Sequence, residues 1–199
     1  MQMGGALHRK MADSAYRAQV VAYADDFVIL SRGHAEEART WMGQVMTKLG
    51  LTLNEDKTSV RNAREERFDF LGYSFGPHHY RKDGHWYLGA SPSKKSVQRL
   101  KQRVGEILVP GNQAPWPKVR DQLNSLLRGW SSYFSYGTRL IAYRAADNHV
   151  QHGVRRFLRR RHKVKSQGTR RFSDEVVFNE LGVLRLRRVH LGPLPTAAK

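Results

Sequence analysis

Two apolar, β-prone arms, Val20-Val21-Ala22-Tyr23 and Phe27-Val28-Ile29-Leu30, enclose the paired acids Asp25 and Asp26. Branched and aromatic residues suit a pleated, half-buried surface, while two adjacent carboxylates belong at a solvated turn. The stretch reads as a β-hairpin carrying its acids at the tip. A helix is expected next: Glu36 and Glu37 open it, Ala35, Ala38, Trp41, Met42, Val45, Met46 and Leu49 recur at helical spacing, and Lys48 and Gly50 close it.

Beyond the helix, Leu51-Thr52-Leu53 alternates like a short strand and Asn54-Glu55-Asp56-Lys57 forms a polar turn. Phe68 to Phe75 is aromatic and β-prone, and Asp83-Gly84 before Trp86-Tyr87-Leu88 signals a tight turn between strands. Residues 1–19 have weak periodicity. Composition shifts at Ser91-Pro92-Ser93, where Ser93 can cap a helix with Val97, Leu100, Val104, Ile107 and Leu108 on one face. Lys94, Lys95, Arg99, Lys101 and Arg103 occupy its other face. Pro115-Trp116-Pro117 leads into a second helix with Val119, Leu123, Leu126, Leu127, Trp130 and Phe134 inward, and a third spans about Thr138 to Arg161. The fold class is therefore α+β, with a mixed part over 1–90 and a mostly helical part over 91–199, its helices joined by short loops.

Charge narrows the partners. Lysine and arginine number 35 against 17 acids, a formal charge of +18, which favours a polyanion. Nucleic acid leads, because a membrane surface normally needs an amphipathic helix with a face to spare for lipid, and none is apparent. The N-terminus lacks a signal-like apolar stretch and no run approaches the roughly 18 apolar residues of a span. With no cysteine in the chain, disulfides and thiolate metal sites are excluded. A cytoplasmic protein without a membrane partner is expected.

Paired carboxylates at a strand turn suit metal-dependent nucleotidyl transfer, in which two divalent ions roughly 3.5–4 Å apart stabilise the attacking and leaving oxygens. A bare Asp-Asp pair is more often a solvated turn. Here the surroundings carry more: Tyr23-Ala24-Asp25-Asp26 between apolar strands resembles the YxDD box of reverse transcriptases, with the alanine usual in group II intron enzymes. Further matches follow in order. Leu49 to Thr58 resembles the LGL-x-LN-x-x-KT block, Phe70-Leu71-Gly72-Tyr73 the FLG[YF] hairpin, and Leu123-Asn124 through Arg128-Gly129-Trp130 to Tyr133-Phe134 the LN-x-x-x-RGW-x-x-YF signature of the maturase, or X, region. Retron and CRISPR-associated reverse transcriptases share the YADD box, but the RGW-x-x-YF block favours the intron type.

The resemblance spans approximately residues 18–190 and implies the end of a right-hand polymerase palm followed by a helical maturase/thumb domain. By the same resemblance Asp25 and Asp26 are catalytic acids at the magnesium, Asp25 as its ligand and Asp26, its acidic neighbour, as a further candidate ligand, and Tyr23 and Ala24 lie by the incoming nucleotide and primer end. Lys57 approaches the triphosphate; without the motif it reads as a solvated turn lysine. Phe70, Leu71 and Gly72 form the primer grip, with Phe70 equally readable as core and Gly72 as a bend. The implied partners are structured intron RNA, an RNA template with a DNA primer, and the N-terminal half of a reverse transcriptase. The fingers, most of the palm and the partner aspartate precede the YxDD box in the family, so the chain alone is expected not to polymerise. With the tail reading Pro193 to Lys199, a DNA-cutting zinc or HNH domain of the kind some relatives carry is not expected.

In the helical half no acid occurs from His149 through Ser173, where Arg155, Arg156, Arg159, Arg160, Arg161, Lys163, Lys165, Arg170 and Arg171 crowd together. With Lys94, Lys95 and Arg99 these are the candidate RNA contacts, since cations neutralise phosphate while aromatic or arginine planes stack on unpaired bases. A charge run is otherwise a solvated helix face or a disordered tail. Trp130, Tyr133 and Phe134 follow helical spacing and read as core before base stacking. His149 and His152 lie a turn apart but have no evident third ligand for zinc. Two functions compete: a fragment of an RNA-directed DNA polymerase with maturase activity, and a non-catalytic RNA-binding protein with a relic YADD hairpin.

Overall fold

The computed structural model describes residues 18–80 and 84–189. Most of the weakly periodic N-terminal stretch (residues 1–17), Asp83 of the expected turn and the tail Pro193 to Lys199 lie outside them. The chain divides into two compact units, Met1–Asn62 and Ala63–Lys199.

In the first unit, strands β1 (Ala18–Tyr23) and β2 (Asp26–Ser31) form an antiparallel hairpin. Tyr23 pairs with Asp26, so Ala24 and Asp25 make the two-residue turn. Helix α1 (Ala35–Lys48) packs against β2 and buries Ala38 and Met42. Its end explains why Leu51–Leu53 is not a strand. Gly50, at φ +69, donates its amide to Thr47 O at 3.0 Å, and Leu51 donates to Met46 O at 2.9 Å. These two bonds are a Schellman stop, which uses the Leu51 amide for the helix and leaves it none for a sheet. The following turn is held by Asn54, whose carbonyl accepts from Lys57 N at 3.1 Å and from the Thr58 hydroxyl at 2.8 Å.

In the second unit, β3 (Phe68–Phe70), β4 (Tyr73–His79) and β5 (Trp86–Pro92) form an antiparallel sheet in that order. Helices α2 (Lys94–Ile107), α3 (Trp116–Tyr133) and α4 (Leu140–Arg161) follow. Ser93 caps α2 as expected, accepting from Ser96 N at 3.2 Å. One core joins the helices: Leu100 and Val104 of α2, Val119, Leu123 and Leu127 of α3, and Val150, Val154, Phe157 and Leu158 of α4. α2 packs against both α3 and α4. A π-helical turn, Val176–Glu180, and a 3-10 turn, Leu186–Arg188, close over α4 and add Val177, Phe178, Val183 and Leu186 to the core. The three-stranded sheet belongs by its contacts with the helices, upstream of the shift in composition at Ser91.

Candidate nucleic-acid interface

Asp25 and Asp26 are both exposed at the tip of the first hairpin, and Tyr23 beside them is 54 % exposed. Ala24 holds φ +51, a left-handed backbone that costs an L residue energy and turns the hairpin within two residues. Two carboxylates supply hard oxygen donors of the kind magnesium takes. Among the described residues no group of three or more carboxylates or histidines could hold a metal ion. The pair alone does not fit a complete two-ion site. Lys57 lies exposed in the Asn54 turn of the same unit.

The FLGY segment is bound tightly to the helices. Phe70 pairs with Tyr73, so Leu71 (φ +49) and Gly72 (φ +78) are the turn, both left-handed as a type I′ hairpin requires. A Cβ on Gly72 would stand 2.9 Å from Ser96 Oγ and 3.2 Å from the Phe134 ring, so close approach as well as φ demands glycine here. The Ser96 hydroxyl (2.8 Å) and Ser93 N (2.9 Å) donate to Gly72 O, and the Tyr133 hydroxyl donates to Leu71 O at 2.9 Å. In return Tyr73 donates its hydroxyl to Tyr133 O at 2.7 Å, and its ring lies 5.0 Å from that of Phe134. The FLGY and RGW-x-x-YF segments thus interlock. Burial raises the pKa of Tyr73 and pushes that of Tyr143 up to about 12, and Tyr143 donates to Ser131 O and Phe134 O at 3.1 Å. Phe134 is core, Trp130 packs against the core, and Tyr133 keeps an exposed ring whose hydroxyl serves the Leu71 turn.

The cations of α4 fall on two sides. Val150, Val154, Phe157 and Leu158 point into the core, and at 100° per residue Arg155, Arg156, Arg159 and Arg160 lie on the opposite side. Arg156 and Arg160 are exposed, Arg155 is half-buried, and Arg159 donates to Gln167 Oε1 at 3.1 Å. Arg161 turns back toward the protein and donates to Ala114 O at 2.7 Å and Gln113 O at 3.2 Å, so its guanidinium fastens the α2–α3 loop. Lys163 and Lys165 are exposed beyond the helix end, as are Lys94, Lys95 and Arg99 on α2. Lys94 and Lys95 occupy the first turn of α2, which holds no acid, where positive charge opposes the helix dipole.

His149 and His152 do not converge on a metal. His149 Nε2 donates to Lys101 O at 3.2 Å and His152 Nδ1 to Asn148 O at 2.6 Å. Burial, and then the charges of Lys101 and Arg156, hold His149 below the ordinary histidine pKa.

Two polar residues that sequence reasoning passed over organise this unit. Asn124, the asparagine of the LN motif, donates to Gly182 O at 2.9 Å and accepts from Leu184 N at 2.7 Å. Asp147 is 1 % exposed and accepts from Leu186 N (2.8 Å), Arg187 N (3.2 Å) and Arg187 Nε (3.0 Å). A buried carboxylate so satisfied caps the 3-10 turn and anchors one arginine. A polar residue inside an apolar helix stripe was the available signal for both.

Among the described residues no helix is long and apolar enough to cross a membrane. No curated protein matches the chain. The family model of the group II intron, maturase-specific domain matches residues 97–174, from the first turn of α2 through α3 and α4 to the loop beyond Phe172. The arginine face of α4 and the segment that interlocks with the FLGY turn therefore lie within the part of the chain that is similar to the group II intron maturase-specific domain.

Proposed function

We propose that this protein binds structured group II intron RNA through the outer face of α4 and assists splicing. The observation that carries this reading is the division of α4: four apolar side chains in the core, and Arg155, Arg156, Arg159 and Arg160 opposite them, within the matched family segment. Arginine suits phosphate because its planar fork donates two hydrogen bonds at once. Replacing the four by glutamine removes charge from the side of α4 away from the core and leaves the core residues in place. Intron RNA affinity should fall, and the slope of log Kobs against log salt should flatten by about 0.7–0.9 for each phosphate that the variant no longer neutralises. An unchanged slope would sink the assignment of this face.

A second reading concerns the hairpin. Asp25 and Asp26 at an exposed two-residue turn, beside Tyr23 and Ala24, support membership in a reverse transcriptase palm that uses Mg2+, a template and a primer. Lys57 and the Phe70-Leu71-Gly72 turn would then serve the nucleotide and primer. Primer extension by this chain supplied with the N-terminal half of such an enzyme, abolished by Asp25→Asn, is the expected result. Extension that survives Asp25→Asn, or none at all, favours the non-catalytic RNA-binding protein with a relic hairpin.

A further inference from the structure

A cavity of about 350 Å3 opens where the α3–α4 loop meets the final 3-10 turn, and Arg139 and Arg187 both line it. Each arginine is already fixed in place. Arg139 donates to Ser135 O and lies 5.9 Å from the centre of the Tyr143 ring, and Arg187 donates its Nε to Asp147. A guanidinium carries five N–H donors, so anchoring through one nitrogen leaves donors for a ligand. The Asp147 carboxylate is occupied by Arg187 and two backbone amides, which leaves the Arg139 charge without a balancing acid from that residue. With Arg187 paired to Asp147, the excess positive charge at the cavity is that of Arg139, and an anion held there balances it.

Leu140, Leu186 and Val189 supply apolar walls, and Gly137, Thr138 and Tyr143 complete the lining. Such walls disfavour a bare hydrated anion and suit one that carries a flat apolar body. The volume lies at the low end of the roughly 300–1,000 Å3 typical of small-ligand pockets, large enough for one nucleotide and too small for a base pair.

We propose that this cavity takes a single unpaired nucleotide, its phosphate between Arg139 and Arg187 and its base against Leu140, Leu186 and Val189. The choice of a nucleotide rests on the intron-RNA reading above; the paired arginines and the cavity do not. The site lies at the N-terminal end of α4, apart from the arginine face toward its other end.

The test is calorimetric titration of the full chain with adenosine 5′-monophosphate, adenosine and inorganic phosphate, each alone. Two variants address the cavity: Leu140→Trp fills it from a half-exposed position, and Arg139→Gln removes one cation. Lys118→Gln, at an exposed position of α3, is the comparison outside it, and melting temperatures verify that every variant folds. The expected result is saturable binding of the monophosphate, at least tenfold tighter than adenosine or phosphate, weakened tenfold or more by both cavity variants and unmoved by Lys118→Gln. No saturable binding, or equal affinity for monophosphate and phosphate with no response to Leu140→Trp, overturns the proposal. If intron RNA binding still depends on the α4 arginines in that case, the interface reading stands without the cavity. Monophosphate binding that persists when that reading fails upholds the cavity.

Discussion

Ala24, Leu71 and Lys163 are the described non-glycine residues with a left-handed backbone, and each sits where the chain reverses or a helix stops. Leu71 is held by the Tyr133 hydroxyl on its carbonyl, and Ala24 turns the hairpin that presents Asp25 and Asp26. Lys163, at φ +50, ends α4: its amide donates to Arg160 O at 3.2 Å, and Val164 N donates to Arg159 O at 2.9 Å. That is the same Schellman stop that closes α1, with lysine where α1 has Gly50. A left-handed L residue costs roughly 1–2 kcal/mol relative to glycine, partly offset because glycine has more freedom to lose on folding. Lys163→Gly should therefore stabilise the protein by about 1 kcal/mol, read as a higher urea midpoint with an unchanged slope. The same change removes a candidate phosphate contact, so intron RNA affinity should drop modestly while stability rises. A lowered midpoint would show that the lysine side chain contributes more to the fold than its backbone costs.

At the scale of elements, Lys94 and Lys95 open α2 with the wrong sign for its dipole. Replacing both by glutamate should stabilise the helix by roughly 0.3–1 kcal/mol per site at low ionic strength, since the new carboxylates face the unpaired amides of the first turn. If these lysines contact RNA, the same variant should weaken RNA binding more than neutralisation does. Thermal melts and filter binding on one sample decide it, and a gain in stability with unchanged affinity would remove α2 from the interface. Helices α2 and α3 are legible because their apolar residues repeat at helical spacing: Leu100 and Val104, and Leu123 and Leu127, all occupy the core. The hairpin acids, the Ser93 cap and the Gly50 stop were legible for a similar reason, since each is encoded within a few residues. What could not be read are pairings over distance. Asp147 meets an amide 39 residues away, Asn124 one 60 residues away, and the Tyr73 and Tyr133 hydroxyls cross between segments about as far apart. Leu51–Leu53 was misread because alternation over three residues carries too little information against a local helix stop.

For the molecule as a whole, charge dominates: +18 before any histidine is protonated. Two histidines resist that protonation within the unit Ala63–Lys199. His78 is 7 % exposed, its Nε2 lacks a hydrogen-bond partner, and burial followed by the Arg67 charge lowers its pKa. His149 is lowered by burial and then by Lys101, Arg156 and His152. Both groups are neutral in folded and unfolded chains well above the ordinary histidine pKa of about 6.5, and there they contribute no slope. As pH falls through that value the unfolded chain binds protons that the folded chain refuses. Stability is then lost, by at most about 1.4 kcal/mol per pH unit for each histidine, until the lowered folded pKa values are reached. Melting temperature should accordingly be level from pH 8 to about 7 and decline from about 6.5 downward. High salt separates this effect from general self-repulsion, because salt screens the distant cations and leaves the cost of charging a buried ring. In high salt, His149→Gln, which keeps a donor toward Lys101 O, should make the decline shallower. A melting curve that declines equally in the native protein and the variant would assign the acid sensitivity to net charge alone, and the buried rings would have no part in it.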